Sequence, residues 1–130
     1  MANVGLFLSR LGRDVVVADL DPAGQNLHTY LGMDPILPSP GTRLRSPPPP
    51  PRVDRMPGMN LRLCRAHHAL TSADDPLRLQ ALEVARASGA DVVLLDLGVH
   101  ADPLAVDTFL EADCGVVVTL PEPAAMERTY

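Results

Sequence analysis

Two aspartates follow a short apolar run near the start of the chain. The run at 15–17 is all valine, and Asp19 and Asp21 come within four residues of its end. A continuous β-branched run of this length is typical of a parallel strand that is covered on both faces. Ligands of parallel α/β sheets lie beyond the carboxyl ends of the strands. Two carboxylates at such an end predict chemistry with a metal ion or an attacking water.

The same arrangement recurs later in the chain. Four apolar residues at 92–95 are followed by Asp96. If the two runs are strands of one parallel sheet, we expect Asp96 to share an edge with Asp19, Asp21 and the loop after Leu120. The sequence therefore predicts a single acidic edge rather than two separate turns.

The rest of the chain predicts an α/β fold. We expect a partial parallel sheet flanked by helices, interrupted by an extended insertion at about 35–58 that contains five consecutive prolines and cannot sustain helix or sheet. The predicted elements are a helix that buries Val4, Leu8 and Leu11 and ends at Gly12, a strand at 60–64, a helix begun by Asp75 and Pro76, a helix begun by Asp102 and Pro103, and a last strand from Gly115 to Leu120.

Composition limits the function classes. The 130 residues allow one domain of ordinary size, and the formal net charge of −5 argues against a basic footprint for nucleic acid. No apolar run is long enough to span a bilayer, so we expect a cytoplasmic protein. All eleven basic residues are arginine, so the chain supplies no lysine for any catalytic or phosphate-binding step.

On these motifs the chain resembles the P-loop ATPases of the MinD/ParA type, closest to the subgroup that includes the flagellar-number regulators. The resemblance covers nearly all residues outside the insertion and implies a single incomplete nucleotide-binding domain at 1–130. Its first strand, with the phosphate-binding loop, would precede Met1, and its last strands would follow Tyr130. The matching pieces are the helix at 2–11, the switch segment at 19–31, the Walker B strand at 92–98 and the segment at 120–123.

The resemblance also implies cofactors and roles. ATP and Mg²⁺ would be bound, with Asp19 and Asp96 holding the magnesium through water and Asp21 acting as the catalytic residue that positions the hydrolytic water. The nucleotide would contact three further positions, which are Asn26 in the switch helix, Gly98 and Pro121.

The partners implied by the resemblance are a second copy of the chain and other proteins. Family members form ATP-dependent homodimers and then bind protein partners, membranes or DNA. Peripheral attachment to the inner face of the cell membrane would depend on residues beyond Tyr130.

Two departures from the family pattern affect these expectations. The chain has no GxxxxGK[ST] loop, and His100 stands where the family's Asp-x-x-x-Gly pattern has glycine. We therefore expect the chain not to hydrolyse ATP unaided. One alternative is a degenerate interaction module on the same fold. The other is a dinucleotide-binding Rossmann domain in which Asp19 holds a ribose hydroxyl.

Overall fold

The computed structural model describes residues 1–35, 50–65 and 76–121. These ranges contain four helices and four strands, and the α/β class expected from the sequence is confirmed. In chain order the elements are α1 (Ala2–Arg10), β1 (Val15–Asp19), α2 (Leu27–Tyr30), β2 (Arg52–Arg55), β3 (Leu61–Arg65), α3 (Pro76–Arg86), β4 (Val92–Asp96) and α4 (Pro103–Glu111).

The four strands form one mixed sheet in the order β2-β3-β1-β4. Its parallel part is as expected, because β1 pairs in parallel with β3 on one side and with β4 on the other. The register aligns Val15 with both Leu61 and Val92, and it aligns Asp19 with Asp96. Strand β2 is antiparallel to β3 and forms an edge of the sheet.

Helices cover opposite faces of the sheet. Helix α1 lies on the face that carries Val17 and Leu61, and a Cβ atom added at Gly5 would be 2.9 Å from Val17 Cγ2. Helix α3 lies on the other face, where the Cys64 Sγ donates to the carbonyl of Ala81 at 3.5 Å. Because both faces are covered, every residue of β1 is buried.

The buried face of α1 differs from the prediction. Val4 is 50% exposed and Leu11 is 63% exposed, whereas Ala2, Gly5 and Ser9 are buried. Small residues allow the helix to approach the sheet closely, and Val4 and Leu11 are left on the outer face. Leu8, the third residue predicted to be buried, is half-buried and packs against the core, as does Leu6. The end of the helix is as expected, because Gly12 has a φ of 84°.

The prediction that the whole insertion lacks secondary structure is wrong for β2. Asp54 of this strand accepts hydrogen bonds from Nε and Nη2 of Arg65 at 3.2 and 3.1 Å, and it also pairs with Arg52. Nη1 of Arg65 donates to the carbonyl of Asp34 at 2.8 Å. Antiparallel pairing and this ion cluster stabilise a strand just beyond the prolines. The segment at 36–49 lies outside the described residues.

The predicted strand from Gly115 to Leu120 is also wrong. These residues have no regular secondary structure, and Val118 is 90% exposed. A valine-rich run becomes a strand only when another strand pairs with it, and no described strand does so here. The run belongs to a second compact unit that begins at residue 101.

The helix starts predicted from capping residues have different outcomes. Asp102 caps α4 as expected, since its Oδ1 accepts from the amide of Ala105 at 3.1 Å. Helix α3 begins with Pro76, whereas the predicted cap Asp75 lies outside the described residues. Nowhere in the described ranges is a helix long and apolar enough to cross a membrane.

Candidate functional site

Asp19 and Asp96 are brought together by the strand register. They are aligned as the last residues of β1 and β4, which are neighbouring parallel strands. Aligned residues of adjacent strands project from the same face, and neighbouring strands lie about 4.8 Å apart. The two carboxylates therefore leave the sheet side by side, and the predicted pairing of these acids at one edge is confirmed.

Asp19 is tied to the segment that follows β1. Its side chain is buried, and Oδ2 accepts a hydrogen bond from the amide of Leu27 at 3.0 Å. The side-chain amide of Gln25 donates to the Asp19 carbonyl, also at 3.0 Å. Leu27 is the first residue of α2, where backbone amides have no carbonyl partner within the helix. The Asp19 carboxylate supplies the missing acceptor.

Burial raises the pKa of Asp19 to about 6, from an ordinary value of 3.8. The negative charges of Asp96 and Asp21 contribute to this rise in pKa, while hydrogen bonds from the backbone amides of Leu27 and Asp21 oppose it. The ionised form of Asp19 is therefore held in an unfavourable environment. A cation at this edge would relieve both the repulsion and the loss of solvation.

Asp21 and Asp96 meet at the backbone of Gly98. Oδ1 of Asp96 accepts the Gly98 amide at 3.2 Å, and Oδ1 of Asp21 accepts the Ala23 amide at 2.8 Å. A Cβ atom added at Gly98 would lie 2.5 Å from the carboxyl carbon of Asp21. The loops after β1 and β4 are thus in direct contact, and all three predicted acids belong to one edge.

The carboxylates of this edge are not partners in the ion pairs formed among the described residues, although the guanidinium of Arg78 lies close by. Within the described ranges, the ion pairs of arginines with aspartates involve Asp14 and Asp54, not Asp19, Asp21 or Asp96. Nor does this part of the chain contain three acids, histidines or cysteines arranged to hold a metal ion directly. The carboxylates fit a hydrated cation such as Mg²⁺, which keeps several of its waters when protein carboxylates bind it.

The other predicted site residues are placed differently. Asn26 was expected within the switch helix. It is exposed and immediately precedes the first residue of α2. Gly98 is at the acidic edge, with a φ of 73°. Pro121 is an exposed residue of the second compact unit, and its contact with nucleotide remains a prediction. His100 is exposed.

Two residues at this edge were not singled out from the sequence. Gln25 holds the Asp19 carbonyl, and Nε of Arg78 donates to the carbonyl of Leu20 at 2.9 Å. A sequence signal existed for Arg78, because it occupies the first position of an apolar helical stripe at 78, 81, 82 and 85. Gln25 carried no comparable signal.

Asp19→Asn is expected to change how the free energy of unfolding depends on pH. Because the folded-state pKa lies above the ordinary value, Asp19 favours folding below about pH 4, and this contribution is lost as the pH rises through about 6. The Asn variant lacks this titrating group. Its free energy of unfolding, relative to that of the native protein, should therefore rise by about 2–3 kcal/mol between pH 4 and pH 7. Urea unfolding at both pH values measures the difference.

The control for this experiment is Asp34→Asn, which removes an exposed carboxyl from the chain after α2. It should show no such gain. The assigned environment of Asp19 would be contradicted if the free energies of unfolding of Asp19→Asn and the native protein differed by the same amount at pH 4 and pH 7.

No protein-family model, curated protein or solved structure matched the chain in comparisons of its sequence and structure.

Proposed function

We propose that residues 1–100 form the magnesium-binding and water-binding part of an ATP-dependent molecular switch of the MinD/ParA type. The observation that carries this proposal is that Asp19 is aligned with Asp96 at the carboxyl edge of parallel strands, while Asp21 and Asp96 both lie against the backbone of Gly98. Such an edge is where parallel α/β sheets bind ligands. The resemblance of the sequence motifs to this family supports the same roles.

The three carboxylates have different tasks in this proposal. Asp19 and Asp96 hold waters of the magnesium ion, which supplies positive charge to the phosphates of ATP. Asp21 orients the water that attacks the terminal phosphate. Its Oδ1 already accepts the Ala23 amide, which leaves Oδ2 to accept a hydrogen bond from that water.

Asp19 would connect the bound cation to the switch segment. Its Oδ2 accepts the Leu27 amide at the start of α2, and Gln25 holds its carbonyl. A cation that attracts the Asp19 carboxylate competes for the oxygen that now holds α2. Binding and loss of the magnesium ion would therefore alter the start of α2, which gives protein partners a surface that reports the nucleotide state.

The phosphate groups need donors that the acidic edge does not offer. The 130 residues contain no lysine and no glycine-rich phosphate loop. We therefore propose that the chain binds MgATP weakly and does not turn it over unaided. In the family, a homodimer formed around ATP completes the active state, and the same assembly is proposed here.

Asp96→Asn is expected to weaken the binding of MgATP by about 10–100-fold, as is typical when a group that holds a metal's own ligand is changed. Asparagine keeps an oxygen acceptor for the Gly98 amide, so the loop after β4 should remain in place. Isothermal titration calorimetry of both proteins with MgATP, and with ATP in the presence of a chelator, measures the effect.

Asp34→Asn serves as the control, since it removes the same charge from an exposed position. Its affinity should equal that of the native chain. Equal affinities for MgATP and for metal-free ATP in the native protein would contradict the proposed magnesium site.

A second candidate is an interaction module that has kept the sheet without nucleotide chemistry. It is favoured by the outer face of α1, where Val4, Phe7 and Leu11 are at least half exposed. Binding of a protein partner with the same affinity in the presence and absence of MgATP would favour this candidate. The dinucleotide alternative fits less well, because a ribose held by Asp19 gives no role to Asp96, which is aligned with Asp19, or to Asp21, which lies against Gly98.

A further inference from the structure

Arg78 is a charged side chain in the apolar face of α3. It is fully buried, and the other buried residues of the helix are Leu77, Ala81, Leu82 and Ala85. Removing a guanidinium from water costs several kcal/mol unless hydrogen bonds replace its solvation. Packing alone would be served at least as well by an apolar side chain of similar volume.

The Nε group of Arg78 reaches the acidic edge from the face of the sheet opposite α1. It donates to the carbonyl of Leu20 at 2.9 Å. The amide of Leu20 donates to the Asp96 carbonyl at 2.9 Å, and the side chain of Leu20 is buried. Leu20 is therefore fixed through its amide, its carbonyl and its side chain, and it is the residue between Asp19 and Asp21.

We propose that Arg78 is a positioning residue, which sets the carboxylate of Asp21 against Gly98 by holding the Leu20 carbonyl. The Leu20 carbonyl and the Asp21 amide belong to one planar peptide group, so a hydrogen bond to the carbonyl fixes the orientation of both. The direction of the Asp21 side chain follows from that orientation. Its Oδ1 then meets the Ala23 amide.

The consequence of this inference rests on the proposed function, in which Asp21 orients the attacking water. Helix α3 contributes no carboxylate to the edge, yet through Arg78 its position is coupled to the position of Asp21. A partner that displaced α3 would move Asp21 without touching the nucleotide. Arg78 would thus couple the position of Asp21 to a binding event on the face of the sheet that α3 covers.

Two variants separate the hydrogen bond from the charge. In Arg78→Gln the side-chain nitrogen is the same number of bonds from the backbone as Nε of arginine, so glutamine can still donate to the Leu20 carbonyl. In Arg78→Lys a methylene occupies that position, although the positive charge is kept one atom further out. Arg86→Lys, at an exposed position of the same helix, is the control.

The measurement is the amide signal of Ala23 in nitrogen-15 NMR spectra of the full chain, recorded without metal or nucleotide. Because this amide donates to Asp21 Oδ1, its chemical shift reports where the carboxylate lies. We expect a native signal in Arg78→Gln and in Arg86→Lys, and a shifted signal in Arg78→Lys. If only the positive charge of Arg78 mattered, the signal would be shifted in Arg78→Gln and native in Arg78→Lys.

A native Ala23 signal in Arg78→Lys would overturn the proposal, as would a shifted signal in Arg78→Gln. If the Gln variant does not fold, the Lys variant decides alone, since a shifted signal supports the proposal and a native one overturns it. The comparison is independent of ATP. Failure of the native chain to bind MgATP would contradict the proposed function and leave the positioning result standing.

Discussion

Replacing Gly98 with alanine is expected to destabilise the fold by about 2–5 kcal/mol and to move Asp21 from its place at the acidic edge. Two costs add. Alanine at a φ of 73° loses about 1–2 kcal/mol, because its side chain crowds the backbone in the left-handed region. The new Cβ atom, 2.5 Å from the carboxyl carbon of Asp21, adds the cost of overpacking, about 1–3 kcal/mol.

Two other glycines separate these costs in urea unfolding experiments. Gly89 has a φ of 67° and open space around it, so Gly89→Ala should show the backbone cost alone. Gly24 has open space and no positive φ, so Gly24→Ala should leave stability nearly unchanged. The contact between Asp21 and Gly98 is contradicted if Gly98→Ala costs no more than Gly89→Ala.

Replacing Gly5 with leucine is expected to force α1 away from the sheet and to lower the free energy of unfolding by about 3 kcal/mol or more. A Cβ atom at this position would already lie 2.9 Å from Val17 Cγ2 and 3.2 Å from Leu61 Cδ1. Three further carbon atoms have no space between the helix and the strands. The distortion should reach β1, whose last residue is Asp19, so binding of MgATP should weaken as well.

Asn3→Leu is the control for this experiment, because it adds a leucine to an exposed position of the same helix. We expect it to change stability by less than about 0.5 kcal/mol. Thermal unfolding followed by circular dichroism compares the two variants. A Gly5→Leu protein as stable as Asn3→Leu would show that α1 does not contact the sheet through Gly5.

The acidic edge could be predicted because its pattern is local. Apolar runs followed by aspartate, at 15–18 and 92–95, predict buried strands with acids at their carboxyl ends. Asp19 and Asp96 are aligned because these two strands are also neighbours in the parallel part of the sheet. The contact of Asp21 with Gly98 is also a consequence of adjacent strand ends. Roles in nucleotide chemistry are not contained in this geometry and come from the resemblance of the motifs.

The parts that could not be predicted depend on which surfaces meet. Helix α1 is apolar on more than one side, so periodicity did not reveal that Ala2, Gly5 and Ser9 form the buried face. Strand β2 lies beside a run of prolines, yet it is stabilised by pairing with β3 and by the contacts of Asp54 with arginines. Conversely, the valines at 116–118 have a strand composition without a described partner strand.

The role of Arg78 could not be predicted for the same reason. Its place in an apolar stripe marked it as unusual, but its hydrogen bond to Leu20 joins residues 58 positions apart. Only the packing of α3 against the sheet brings them together. Residues that position others are harder to recognise than residues at strand ends, because their partner is a backbone atom with no sequence signature.

The central proposal is that Asp19 and Asp96 hold the metal ion of a metal–nucleotide complex through its waters, with Asp21 beside them at the same edge. Its most direct test is the broadening of amide NMR signals by Mn²⁺ in the presence of ATP, with Mn²⁺ in place of Mg²⁺. We expect the broadening to be strongest at residues 19–23 and 96–98, and we expect Asp96→Asn to reduce it. Broadening that is absent, or centred on other acids such as Asp34 and Asp54, would contradict the proposal.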